Sequence, residues 1–267
     1  MKHYILLLLA IPIVLQSCSS MYIPATRSIP LLEKKGEFQA EAGISTNSIY
    51  ANGSYAFSDK IAASINGNLS YRNFSNRYDL FTHKDAPPPL KGSWNVDARG
   101  NFAHRYGEVS VGRINMRPTS PMKLEVFGGM GMGRATDVDH FRDDNRYKVD
   151  YYSFFGQGNL GLKKRMVEAG ASVRLGYSYF NYEENLYKNE YILHRKTINA
   201  LHVEPMLFAR IGTERWKFVY RVGVNLALTI NPTENSIQYD GLGLGLDGSR
   251  YTVFHMSIGV SYRLGGK

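Results

Sequence analysis

From Gly36 to the end, the chain alternates apolar and polar residues in segments too long for an ordinary soluble strand. Phe38, Ala40, Ala42 and Ile44 alternate with Glu37, Gln39, Glu41 and Gly43, and Ile61, Ala63, Ile65, Gly67 and Leu69 with Ala62, Ser64, Asn66 and Asn68. Val167, Ala169, Ala171, Val173, Leu175, Tyr177 and Tyr179 stand against Glu168, Ser172, Arg174 and Ser178, and Trp216, Phe218, Tyr220, Val222 and Val224 against Lys217, Arg221 and Asn225. A period of two marks strands with unlike faces. Soluble strands usually run about 5–6 residues, whereas strands that cross a bilayer at a tilt need about 9–11. The apolar faces also end in aromatics, at Tyr55 and Phe57, Tyr71, Tyr152 and Phe154, Tyr177 and Tyr179, and Trp216 and Phe218. Such rings favour the membrane–water interface. A closed barrel with an apolar outside and a polar inside accounts for both faces, so the fold class expected is all-β, a transmembrane antiparallel up-and-down barrel.

Ten strands are expected, near 36–45, 48–57, 60–71, 93–116, 122–134, 147–163, 166–181, 199–211, 216–229 and 251–264. Ten places the connections 72–92, 135–146, 182–198 and 230–250 at one end and the short turns at the other, as single-chain bacterial barrels require. The fourth segment is ambiguous. Trp94, Val96, Ala98 and Phe102 alternate in one phase and Val109 and Val111 in the other, which predicts either a bulge near His104–Gly107 or two strands meeting there.

The polar phase defines the interior. Glu41, Glu108, Glu125, Glu168 and Glu204 should face Arg174, Arg210, Lys217, Arg221, Arg263, His202 and His255 across the lumen. About ten strands enclose little more space than eight, which side chains already fill. An unpaired buried charge costs several kcal/mol, so these groups should pair into a network that closes the lumen.

The first residues read as an export signal: Lys2 and His3, an apolar run from Tyr4 to Leu15, then small residues. The one cysteine of the chain, Cys18, sits where cleavage would fall, which rules out an internal disulfide. Leu15-Gln16-Ser17-Cys18 resembles a bacterial lipobox, and that resemblance implies a diacylglyceryl thioether on Cys18. Residues 1–17 are then a signal peptide, 18–35 a lipidated tether lying against the membrane, and 36–267 the barrel. At the other end, Ser257, Gly259, Tyr262 and Leu264 resemble the last-strand signature by which outer-membrane barrels are recognised for assembly. Together with the strands and export peptide, they make the chain similar to outer-membrane β-barrel proteins of the OmpA-like superfamily, in lipoprotein form. The resemblance implies an outer-membrane location, lipid-anchored and membrane-spanning.

No catalytic constellation stands out. Asp137, Asp139 and His140 sit where omptin-type proteases carry acid and histidine; these also need a second acidic pair across the mouth, for which Asp79 or Asp85, both in a long loop, could supply an acid. His255 with Ser257, and His202 with Glu204, share faces expected to be lumen packing. Gly128 to Gly133 lacks the following helix that would bind phosphate. The net charge of +9 comes with no nucleic-acid motif, so nucleic acid is not an expected partner. Outer-membrane lipids are; Arg72, Arg77, Arg142, Arg146, Lys188, Arg195 and Lys196 read either as ordinary solvated loop charge or as groups that meet lipopolysaccharide phosphates. No metal or cofactor is expected. The function expected is non-enzymatic: a plugged barrel whose loops serve surface interaction or association with a larger envelope complex. The alternatives are a rim enzyme acting on lipids or peptides, and a narrow small-solute channel.

Overall fold

The structure, a computed structural model, describes residues 25–46, 48–70, 103–117, 119–139, 145–186, 192–232 and 254–265. They form β1 (Phe38–Ser45), β2 (Ser48–Ala56), β3 (Ile61–Ser70), β4 (Ala103–Arg113), β5 (Met122–Asp139), β6 (Asn145–Lys163), β7 (Val167–Leu186), β8 (Ile192–Gly212), β9 (Trp216–Val224), β10 (Leu226–Pro232) and β11 (Phe254–Leu264). β9 and β10 are two halves of one wall strand, interrupted at Asn225, and β8 pairs with both. Each strand pairs antiparallel with its neighbours, β1 joins β11, and the sheet closes on itself as a ten-strand up-and-down barrel.

Alternation turns directly into inside and outside. Ile65, Val111, Met132, Leu175, Leu207 and Phe218 are all more than half exposed on the outer wall, while Glu125, Glu168 and Arg221 are fully buried inside. Near the turn end, Tyr55 packs edge-on against Phe57 and Trp216 lies 4.4 Å from Tyr262, centroid to centroid. Higher up, Tyr152 stands opposite Tyr179 and Phe154 opposite Tyr177. On β6 the stretch from Leu162 to Tyr152 covers about 33 Å along the strand. A tilt near 40° brings that to about 25 Å, the height of the apolar band on outer-membrane barrels. The aromatics border that band.

Three strand readings are refined. β5 continues to Asp139 and β6 begins at Asn145, and β7 and β8 run to Leu186 and from Ile192, so the loops expected at 135–146 and 182–198 are largely strand. The apolar alternation stops at the edge of the band, but the backbone ladder does not. Above it the outward face carries ion pairs, Arg134 with Asp150, and Lys148 with Asp150 and Glu183. In β4 the register runs without a break on both sides. His104, Tyr106 and Glu108 all point inward, so there is no bulge at His104–Gly107; the segment before 103 lies outside the described residues. The ladder shifts instead between Ala227 and Thr229.

The glycine run in β5 is a packing device. Its inward members lie under rings: a Cβ on Gly129 would collide with Phe155, one on Gly131 with Tyr106, and one on Gly133 with Tyr151. The Tyr106 and Tyr151 rings stack at 5.6 Å. Gly131→Leu is expected to destabilise the barrel by about 1–3 kcal/mol, the usual range for overpacking. Gly128→Leu, whose added Cβ meets only ordinary contacts, should be close to neutral. Urea titration of the detergent-solubilised protein compares the two.

Candidate functional site: the occupied lumen

Inward-facing Glu, Arg, Asn and Ser meet across a narrow bore, and three carboxylates organise them. Glu168 accepts Arg210 Nη1 at 3.1 Å, Lys217 Nζ at 2.7 Å and Arg263 Nη1 at 2.8 Å. Glu41 is gripped by Arg221, with Nη2 at 2.6 Å, and touched by Arg210 at 3.4 Å. Glu108 takes both terminal nitrogens of Arg174 at 2.7 Å, the Tyr106 hydroxyl at 2.8 Å and the Asn66 amide. Arg174 also lies 3.9 Å above the Phe155 ring. Such bidentate, charge-assisted bonds are the stronger kind, and here they join strands far apart in sequence.

The bore also holds a length of chain. Residues 25–32 are all buried and run along the lumen as an extended strap, which turns at Lys34–Gly36 to enter β1. The tether expected against the membrane is therefore, in its described part, inside the barrel. An extended segment without a strand neighbour must find partners for its backbone, and the wall supplies them. Gln157 donates to the carbonyl of Ser28 at 2.8 Å, Arg210 to that of Ile29 at 2.6 Å, Arg263 to that of Pro30 at 2.9 Å and Lys163 to that of Leu31 at 3.0 Å. The Leu32 N–H donates to Glu125 at 3.0 Å. Side chains add Arg27 with Glu204 at 2.9 Å, Ser28 with Ser54 at 2.6 Å and Thr26 with the His255 ring at 3.1 Å.

Apolar contacts complete the seat. Ile29 and Leu31 cluster with Met206 and Phe208, and Leu32 with Ala56, Ala62, Ile114 and Phe127. The successive leucines reach two separate clusters, and Leu31 adopts φ +49°. That left-handed conformation costs a non-glycine residue roughly 1–2 kcal/mol. Gly161 leaves the space for Leu31: a Cβ there would stand 2.7 Å from its side chain. Wall and strap fit each other.

At the foot of the strap, Glu33 meets Lys123 at 3.0 Å and Lys163 at 3.3 Å. Burial works to raise its pKa, but the two lysines outweigh it and hold the carboxyl below its usual range. A group with a depressed folded pKa contributes stability above its unfolded value, about 4.3, and loses it as pH falls through the folded value. Hydrogen-exchange protection of residues 31–37, corrected for intrinsic rate, should therefore drop below about pH 4.3 and hold above it, with Glu33→Gln reducing the dependence.

All the interior residues expected from the sequence face the lumen. Glu41, Glu108, Glu125, Glu168, Arg174, Glu204, Arg210, Lys217, Arg221 and His255 are buried, and Arg263 is half-buried at the foot. His255 meets the strap, and His202 lies buried on the face it shares with Glu204. Arg27, Glu33, Lys123 and Lys163 belong to the same set, although the sequence reading does not include them. Leaving the two histidines aside, the five glutamates named from the sequence face five Arg and Lys residues, so no surplus formal charge signals a further partner. Cys18, Asp79, Asp85 and His140 lie outside the described residues, as do the side chains of Asp137 and Asp139 and of the loop cations from Arg72 to Lys196. Among the described residues no cluster of His, Cys, Asp and Glu fit for a metal ion occurs. No protein-family model matches the chain, and no curated protein matches it.

Proposed function

We propose that this chain is a non-enzymatic outer-membrane β-barrel lipoprotein, acylated at Cys18 and similar to the OmpA-like superfamily. Its own N-terminal strap stoppers the lumen, and its outer connections serve surface interaction or attachment to a larger envelope complex. The observation that carries this reading is the strap: residues 25–32 occupy a bore whose charges are already cross-linked to one another. A closed interior suits a protein that works through its rim and outer surface, in contact with membrane lipid, lipopolysaccharide phosphates and protein partners, more than one that passes solute. The barrel fold is consistent with the outer membrane, and the exposed apolar band between aromatic borders supports lipid as its surroundings.

Planar-bilayer recording of the purified full chain tests the stopper. No steady conductance is expected, and resolved unitary steps from the unaltered protein would overturn it. Incorporation of radiolabelled palmitate, lost in Cys18→Ala, tests the anchor. Affinity isolation from native envelopes is expected to recover the chain with a companion protein.

A further inference from the structure

The strap has a direction. Thr26 meets His255, at the outer end of β11, and Arg27 meets Glu204, midway along β8. Ser28 is bonded by Gln157, further down β6, and Ile29 by Arg210, close to the foot of β8. Pro30 is bonded by Arg263 and Leu31 by Lys163, at the feet of β11 and β6. Each step along the strap is a step toward the mouth that carries the short turns. There Gly36, with φ +81°, reverses the chain into β1. Followed backward, the strap climbs toward the other mouth, where β3 and β10 end and β4 and β11 begin.

We infer that the mature N-terminus emerges through the long-connection mouth, so that Cys18 and any acyl group on it lie on the same side of the membrane as the long connections. Fully extended, the stretch from Cys18 to Ala25 reaches at most about 25 Å. At the level of His255 the neighbouring wall already ends in the turn between β1 and β2, where the Thr46 N–H donates to the Met256 carbonyl. The opposite mouth is about 30 Å back along the strand, through a bore already filled by the strap and its partners. A return path has neither the length nor the room. The β1–β11 seam joins the first and last strands, so closing it around a seated strap encloses the segment without drawing an acylated end through a filled lumen. In an outer-membrane barrel, whose short turns face the periplasm, the anchor is then in the outer leaflet and the N-terminus is displayed at the surface. The side of the membrane rests on the function proposed above; the direction within the lumen does not.

The test uses full-length chains carrying one short epitope each: after Ser20, within 233–250, or between Thr119 and Ser120 in a short turn. Antibody binding is compared on intact cells and after permeabilisation. The Ser20 epitope is expected to be read on intact cells as fully as the 233–250 epitope, with the turn epitope read only after permeabilisation. A Ser20 epitope that sorts with the turn epitope overturns the inference. If the turn epitope is the one read on intact cells, the proposed orientation fails, yet the Ser20 epitope must still sort with 233–250 for the threading to stand. Where an epitope prevents assembly, Ser20→Cys probed with a membrane-impermeant maleimide gives the same readout, and labelling only after permeabilisation overturns the inference equally.

Discussion

Glu168→Gln is expected to cost the folded barrel about 3–5 kcal/mol, the usual penalty for stripping one partner from a buried ionic cluster. Glu168 is fully buried and is the common acceptor for Arg210, Lys217 and Arg263. Glutamine keeps the shape and removes the charge, leaving three cations together at the foot of the bore. Arg210 and Arg263 also hold the strap carbonyls of Ile29 and Pro30, so the loss spreads from wall to strap. Adding Lys217→Met should recover part of it, because one of the stranded charges is then gone. The contrasting variant is Glu214→Gln. That residue pairs with Arg165 at 2.6 Å on an exposed turn, and exposed pairs contribute about 0–1 kcal/mol. Urea unfolding followed by the mobility difference between folded and unfolded barrel measures all three. A loss for Glu168→Gln no larger than for Glu214→Gln would mean that water reaches the cluster and the bore is open.

Replacing residues 25–33 with a Gly/Ser linker is expected to turn a silent barrel into a conducting one. Glu204, Glu125, Lys163 and Arg210 each lose a strap partner. Charges left unpaired in a low-dielectric bore are costly until hydrated, so water enters to solvate them. The pockets vacated by Ile29, Leu31 and Leu32 supply the volume. Single-channel recording should show unitary steps for the linker chain and a flat baseline for the full one, with selectivity reporting the sign of the released charges. A linker chain that folds and stays silent would place the barrier in the wall network of Glu41, Glu108 and Glu168 alone. The smaller change Arg27→Met removes one strap–wall ion pair while keeping Ile29 and Leu31 seated, and should leave the baseline flat.

Much of this molecule is legible without coordinates. The inward direction of Arg174, Arg221 and Glu168 follows from alternation, because a strand residue has only two faces to choose from. The outer ends of β5 to β8 are less legible. Apolar periodicity stops there, and Arg134, Lys148, Asp150 and Glu183 extend the sheet where the wall no longer needs to be apolar. The bulge expected in β4 fails for a related reason: His104 is polar and could belong to either face until the Tyr151 hydroxyl, 2.7 Å from its ring, is seen to hold it inside.

The strap shows where sequence reasoning stops. The segment from Ala25 to Lys34 has no period, since its residues meet different wall strands and its pattern is imposed by those partners. Gln157, Arg210, Arg263 and Lys163 bind it through carbonyl oxygens, which every residue type carries alike. Local sequence therefore determined what is periodic in this protein: the strands, their faces, and the apolar band. Which acid meets which base, and that the N-terminal segment fills the bore, was decided only by closure of the sheet, because closure alone brings side chains from distant strands within hydrogen-bond reach of one another.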